Sequence, residues 1–276
     1  MSTTNFRFDL SAWPHPPCDT HSHIYPDGVN SPGHPSLAEY LRVIGTLGVG
    51  RHVVVHAKAL RHDQRCTLDV VQSIGLERAR AVVWEEASWN DNDLERLHSA
   101  GVRGIRTLYA AGVPVDVAAL QSTAAKIAPH GWHLLVQAES FAWPGCVDAL
   151  LALPCPVVVD HIGRLGPDIG LDSLEFQSLV RFVREGGWIK FAAPYYGTRH
   201  GAADFGELAP RLRAFLDAGS SRVIWGLNWP HLNLSDRPDE HATLESLLQV
   251  LDSESLARAV LAENAARLYG FSATSV

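Results

Sequence analysis

The chain has 276 residues, of which 46% are hydrophobic and 19% are charged. This apolar content is sufficient for a sizeable core, which excludes a globally disordered protein. The formal net charge of −7 argues against a nucleic-acid-binding protein, but it leaves room for a small basic pocket. The 14 histidines are candidates for proton transfer or metal ligation.

The sequence predicts a cytoplasmic protein. Residues 1–17 lack the basic start and apolar run of a signal peptide, and no stretch of about 18 apolar residues could span a membrane. The four cysteines are scattered without a CxxC pair, which is typical of buried thiols in a reducing compartment. The oligomeric state is left open.

Eight short apolar runs predict strands. Val157, Val158 and Val159 illustrate their nearly continuous apolar character, which is typical of parallel strands buried on both faces. In chain order the predicted strands are residues 18–24, 52–57, 81–84, 104–108, 133–138, 156–160, 188–191 and 222–226.

Amphipathic helical patterns lie between these strands. Ser36 is a predicted N-cap with Glu39 three residues later, as in a capping box. Strand and helix alternate, and about 250 residues suit one such domain. We therefore predict an α/β fold, with a single (β/α)8 TIM-barrel domain over residues 1–276 of which residues 1–17 form an amino-terminal arm. The predicted helices are 36–47, 91–100, 115–128, 171–184, 205–217 and 255–268, and residues 25–35 are predicted to form a long first loop.

The carboxyl ends of barrel strands usually carry the active site. The first predicted strand delivers His21 and His23, which are two residues apart and should point to the same side. Such a pair can bind a metal or a substrate carbonyl, although a bare HxH is a weak signal and packed or surface histidines are its ordinary explanation.

Two further strand ends carry polar residues. After the sixth strand come Asp160, His161 and Arg164, where the histidine could instead cap the next helix and the arginine could pair with a carboxylate. The eighth strand stops at Pro230, which places Asn228 and His231 at the predicted mouth.

Together these motifs resemble the amidohydrolase-related family that includes 2-pyrone-4,6-dicarboxylate lactonase, sugar lactonases and lactone isomerases. The resemblance extends over nearly the whole chain, and it is the combination that is specific. The matching segments are Asp19–His23, Gly101–Arg106, Gly131–His133, Asp160–Arg164, Trp225–His231 and Glu263–Tyr269.

The resemblance implies an enzyme and assigns roles to its residues. It implies that the histidines of the first and sixth strands, His21, His23 and His161, polarise an ester carbonyl. It further implies that arginines hold carboxylates and that the histidine of the WPH motif contacts substrate. These positions correspond to Arg106, Arg164 and His231.

Asn228 departs from the family pattern, since the family has a water-activating aspartate there. An amide cannot accept a proton near neutral pH, and loss of a general base costs about 10²–10⁴ in rate. Three explanations stay open: an introduced Asp→Asn change, a natural enzyme with another base, or a weak or non-catalytic binding protein. Substitute bases are the histidines first, His161 and His231, followed by Asp160 and Glu139.

The same change favours a site without a metal or other cofactor, because an amide is a poor replacement for a carboxylate ligand. No lysine stands near the end of the fourth predicted strand to bridge two metals. A single zinc held by His21, His23 and His161 stays open.

The predicted pocket also differs from that of the pyrone lactonase, which makes the pyrone dicarboxylate itself a doubtful substrate. Residues 110–112 lack a second arginine, and Tyr196 ends a Pro-Tyr-Tyr segment where relatives have Pro-Tyr-Arg. The basic loop after the second strand, with Lys58, Arg61, His62 and Arg65, is either a solvated loop or a repositioned anion clamp. Lys58, at the strand end, is predicted to point into the pocket.

We therefore predict a hydrolase that acts on a small carboxylated lactone or related cyclic ester by attack of water, with Lys58, Arg106, Arg164, His231 and Tyr196 as substrate-binding residues. The catalytic set is His21, His23, His161 and Asn228. A lactone isomerase, a metal-dependent decarboxylase and a non-enzymatic binding protein are the alternatives that the sequence leaves open.

Overall fold

The computed structural model describes residues 7–25, 36–60, 63–232 and 234–272. Eight parallel strands form one sheet in chain order, so that each strand pairs with the next one along the chain. All eight predicted strands are confirmed, with ends that differ by a few residues. The strands are β1 Cys18–Ser22, β2 Arg51–Val55, β3 Ala79–Val83, β4 Val102–Leu108, β5 His133–Gln137, β6 Val157–Val159, β7 Trp188–Phe191 and β8 Val223–Trp225.

Helices follow the strands and surround the sheet, which confirms the predicted (β/α)8 barrel. A π-helical turn at Ala259–Glu263 joins the last two helices. In chain order the helices are α1 Leu37–Thr46, α2 Arg65–Ile74, α3 Asp91–Ser99, α4 Val117–Ile127, α5 Trp143–Leu151, α6 Leu174–Arg184, α7 Ala209–Gly219, α8 Glu240–Val250, α9 Glu254–Arg258 and α10 Asn264–Tyr269.

Three helices, α2, α5 and α8, were not predicted from the sequence. For α5 the reason is visible: Pro144 and Gly145 read as helix breakers, yet the proline lies in the first turn, where its missing N–H costs nothing. The predicted N-cap Ser36 does accept a hydrogen bond from the Glu39 backbone N–H. The Glu39 carboxylate, however, pairs with Arg237 instead of completing a capping box.

The barrel closes between β8 and β1. The backbone N–H of Asn228 donates to the His21 carbonyl (2.8 Å), and that of His23 donates to the Trp229 carbonyl (2.7 Å). A Cβ on Gly226 would lie 2.7 Å from the Cβ of His21, so only glycine permits this approach. The contact between the ends of β8 and β1 therefore holds Asn228 beside the histidines of β1.

The barrel interior is packed at its amino end and open at the other. Helix α10 covers the amino end, where the Arg80 guanidinium donates to the Tyr269 and Gly270 carbonyls. No helix within the described ranges is both long and apolar enough to cross a membrane. The interior apolar cluster includes Cys18, Val53, Val55, Val82, Leu135, Val158, Trp188, Ile224, Ala265 and Leu268.

Most of the predicted first loop, residues 26–35, lies outside the described residues, as do Arg61, His62 and residues 1–6 of the predicted arm. The described part of the arm contains a 3₁₀ turn at Leu10–Ala12. The Trp13 indole N–H donates to Glu254 and so attaches the arm to α9.

Candidate active site

A cavity of about 550 Å³ opens at the carboxyl end of the barrel. Its volume is in the range of small-molecule sites. Its described lining contains two permanent cations, Lys58 and Arg106, and no carboxylate. The lining residues are His23, Tyr25, Ala57, Lys58, Ala59, Arg106, Leu108, Gln137, His161, Tyr196, Asn228 and Leu232.

Strand periodicity places two charged side chains in the barrel interior, behind the lining of this cavity. Val158 and Trp188 belong to the interior apolar cluster, and Asp160 and Lys190 follow them by two residues, on the same face. Both charged side chains are fully buried. The Lys190 ammonium donates to the Thr20 carbonyl (2.8 Å) and lies 3.5 Å from His21 Nδ1.

Asp160 lies between two histidines. Its Oδ1 is 3.2 Å from His21 Nδ1, and its Oδ2 is 3.4 Å from His161 Nε2. The rings of His21 and His161 stand with centroids 4.7 Å apart. The histidines of the first and sixth strands therefore converge, as the sequence predicted. The structure adds that the Asp160 carboxylate lies between them.

Burial sets the charges of this cluster. It lowers the pKa of His161 to about 4 and that of His21 well below its usual value, although Asp160 opposes both shifts, so the imidazoles are neutral near pH 7. Burial alone would raise the pKa of Asp160, but His161, His21 and Lys190 hold it well below its usual range. Burial lowers the pKa of Lys190 to about 8, which still leaves it largely protonated.

His23 completes the group of imidazoles. Its Nδ1 lies 2.8 Å from the Val55 carbonyl, so this nitrogen carries the proton and donates it. Its Nε2 therefore carries no proton and can accept a hydrogen bond from His21 Nε2, which lies 3.2 Å away. Burial, helped by Arg106, lowers the pKa of His23 to about 3. The register of β1 against β2 shifts between Asp19 and Ser22, which re-aims the side chains at this strand end.

The donor set is compatible with one divalent metal ion. His21, Asp160 and His161 offer ligand atoms within 4.8 Å of one another, and nitrogen and carboxylate oxygen are ordinary zinc ligands. This set differs in one member from the predicted zinc set, because Asp160 takes the place of His23. The reason is that Asp160 follows β6 on the inner face, between the rings of His21 and His161.

Asn228 lines the cavity, and its backbone is left-handed (φ 66°). Asparagine and aspartate tolerate this conformation better than most residues. The Asn228 amide donates to the Tyr195 hydroxyl (2.5 Å). Within the described ranges, non-glycine residues of positive φ occur only after β6, β7 and β8, and such strain often marks functional sites. They are His161, Ile162, Arg164, Ala193, Asn228 and His231.

Arg106 projects into the cavity from β4 and is buried. Its guanidinium donates to the His56 carbonyl (3.3 Å) and to Gln137 Oε1 (3.0 Å), whereas its Nε has no partner among the described residues. Lys58 follows β2 in a 3₁₀ turn and lines the outer part of the cavity. The two cations are therefore available to an anionic ligand.

The remaining predicted residues differ in whether they line the cavity. Tyr196 lines the cavity, but Arg164 does not: it is ion-paired with Glu139. His231 is 2% exposed and lies outside the lining, with its ring 5.9 Å from that of Tyr195. Arg65 begins α2 and pairs with Asp63 on the surface, so the basic loop contributes Lys58 alone from its described residues.

Lys190 and Gln137 belong to the site but were not predicted. The signal for Lys190 was a lone charge within Trp188–Phe191, an otherwise apolar strand. Since a lysine is almost never fully buried without a partner, this position pointed to an internal anion. Gln137 ends β5 on the same inward face as Leu135.

The comparisons with known proteins agree with this geometry. The family model described as Amidohydrolase matches residues 13–271. The chain is 33% identical to a 2-pyrone-4,6-dicarboxylate hydrolase of Comamonas testosteroni, over 91% of this chain and 89% of that one. It is 28% identical to a D-galactarolactone isomerase of Agrobacterium fabrum, over 95% and 93% of the two chains.

A solved structure shows the same fold. The crystal structure of an Agrobacterium tumefaciens protein superposes with a TM-score of 0.84 at 28% identity, over 95% of this chain and 98% of that one. The resemblance noted from the motifs is thereby confirmed, and so is the prediction of an enzyme of this type. The family model covers far more than half of the sequence, and the chain belongs to the amidohydrolase family.

Proposed function

We propose that the enzyme hydrolyses a small anionic lactone or related cyclic ester. One observation carries this proposal: neutral imidazoles and two permanent cations face one cavity whose described lining has no carboxylate. The cations suit the acid group of the substrate, and the imidazoles suit its ester carbonyl. The named activities of the relatives support the same choice, since a hydrolase of 4-sulfomuconolactone from Hydrogenophaga intermedia is also 28% identical to this chain.

In this proposal His161 is the general base, in place of the aspartate for which Asn228 is substituted. Its Nε2 faces Asp160, while its Nδ1 has no partner among the described residues. A neutral ring with a carboxylate beside one nitrogen can take a proton from water through the other. Asn228, which donates to Tyr195 and lines the same cavity, would orient that water.

His21 and His23 would lie nearest the ester carbonyl, whose oxygen gains negative charge as water attacks. Positive charge develops on His161 when it takes the proton from water, and it is balanced by Asp160, whose pKa is held well below its usual range by His161, His21 and Lys190. We propose that turnover needs no metal, because the Lys190 ammonium already compensates the buried carboxylate. A divalent ion, where bound, would be held by His21, Asp160 and His161 and would polarise the carbonyl.

Arg106 and Lys58 would hold the acid group of the substrate, and Tyr25 and Tyr196 would flank its ring. His231, which lies behind the lining, would act on the substrate through Tyr195, and Arg164 would not contact the substrate as long as it is paired with Glu139. A lactone isomerase is the second candidate, because the isomerase relative matches this chain over 95% of its length. In that reaction a hydroxyl of the substrate replaces water as the nucleophile.

The test is a panel of carboxylated lactones incubated in water labelled with heavy oxygen. Hydrolysis releases acid and places solvent oxygen in the product, whereas isomerisation gives a new lactone without it. The same preparation, treated with a chelator and assayed for metal content, should keep its rate. No turnover of any lactone, with Asn228→Asp equally inactive, would contradict the proposal, and a rate that returns only with added metal would contradict its metal-free form.

A further inference from the structure

At the cavity mouth, one arginine differs from the other cations because a carboxylate already neutralises it. Arg164 Nε donates to Glu139 Oε1 (2.9 Å), and the two side chains are only 24% and 31% exposed. The Arg164 guanidinium carbon lies 4.2 Å from the centre of the Tyr196 ring. Since Tyr196 lines the cavity, the ion pair is directly behind the cavity wall.

The part of the cavity wall formed by Tyr196 lies next to His161, the proposed general base. The Tyr196 and His161 ring centroids are 5.6 Å apart, and Arg164 follows His161 by three residues. An arginine in this position would be well placed to hold a second acid group on a ring bound beside His161. Glu139, which follows β5, already forms an ion pair with this guanidinium.

On the other side of the cavity the described residues form no such ion pair. Among them, Arg106 donates hydrogen bonds to two neutral groups, the His56 carbonyl and the Gln137 side chain. No carboxylate stands in the described lining. One acid group therefore finds free positive charge at Arg106, whereas a second acid group near Arg164 would meet the charge of Glu139.

We propose that Glu139 is a specificity-determining residue that restricts the enzyme to substrates with a single acid group. The inference rests on the proposed function and narrows its substrate class. A second carboxylate at Arg164 must either displace Glu139 or lie beside a like charge, and unfavourable charge placement is a common means of rejecting a competing ligand. Removal of the Glu139 charge should free Arg164 for dianionic ligands.

The experiment compares two aromatic acids that the enzyme cannot hydrolyse: benzoate, with one carboxylate, and isophthalate, with two. Their dissociation constants are measured by calorimetry for the unmodified enzyme, for Glu139→Gln and for the second variant Glu139→Ala. The matched control is Asp148→Asn, which also removes one negative charge from an ion pair with an arginine, but outside the cavity lining. Thermal unfolding checks that each variant is folded.

We expect both Glu139 variants to shift the ratio of the two dissociation constants about tenfold towards isophthalate, which corresponds to about 1.4 kcal/mol. Asp148→Asn should leave the ratio unchanged. The double variant Glu139→Gln with Arg164→Gln should lose the gain, because the freed guanidinium is then absent.

An unchanged ratio, or a gain that persists without Arg164, would overturn the proposal. Failure of both acids to bind the unmodified enzyme would also overturn it, since the proposal requires one anion site. Loss of lactone turnover in Glu139→Gln with the ligand ratio unchanged would instead assign Glu139 a role as base. The ratio of the two dissociation constants is measured without turnover. This inference can therefore be tested independently of the proposed hydrolysis.

Discussion

Substitution of Arg106 by methionine tests whether the buried guanidinium holds the acid group of the substrate. The change keeps much of the apolar stem and removes the charge. In the structure Arg106 is buried, with its Nε unpartnered among the described residues. A hydrogen bond to a charged group contributes about 1.5–3 kcal/mol, so loss of one such contact predicts affinity weakened about 10- to 100-fold.

The loss should appear mainly as a higher KM with a nearly unchanged kcat, because the acid group is bound equally in the ground and transition states. Stability should change little, by no more than about 2 kcal/mol, since two hydrogen bonds are lost while the cost of burying a charge is relieved. That cost is visible in the structure, where burial lowers the pKa of Arg106.

The assay is benzoate binding by calorimetry together with steady-state kinetics on a carboxylated lactone, and urea unfolding measures the stability. Arg103→Met is the matched control: it lies on the same strand, but its guanidinium donates to the His98 and Val102 carbonyls, outside the cavity lining. Unchanged benzoate affinity in Arg106→Met, or a fall in kcat at constant KM, would refute the reasoning.

Three further substitutions test the cluster and the barrel wall. His161→Asn should lower kcat by about 10²–10⁴ through loss of the general base, and benzoate affinity within a few-fold of normal would show that the cavity is intact. Lys190→Met should destabilise the fold by about 3–5 kcal/mol in urea unfolding, since it leaves the buried Asp160 carboxylate uncompensated; a loss below about 1 kcal/mol would contradict that role. Burial, helped by Arg78, lowers the pKa of His52 to about 4, so only the unfolded chain takes up this proton as the pH falls below about 6.5. His52 by itself should therefore lower the free energy of unfolding by up to about 3 kcal/mol between about pH 6.5 and about pH 4, in addition to the other buried histidines, and His52→Gln should reduce the slope; an identical slope in both proteins would exclude the contribution.

The sequence by itself determined the barrel and predicted where along the chain the candidate site lies. Apolar runs such as Val157–Val159 are typical of strands buried on both faces, and their repeated alternation with amphipathic helices predicts a closed parallel sheet. Because active sites of this fold lie at the strand ends, the sequence also selected His21, His23, His161 and Asn228; the structure places the last three in the lining of one cavity and His21 directly behind them.

Only the tertiary structure decided which of these groups touch and which charges are free. Lys190 reaches His21 across 169 residues of sequence, and Arg164 is neutralised by Glu139 from a neighbouring strand end. His231 lies outside the lining and has a left-handed backbone conformation, which no local sequence pattern predicted. Periodicity fixes the face on which a side chain lies, but ion pairing and pKa values depend on neighbours that are distant in sequence and on burial, which only the folded barrel creates.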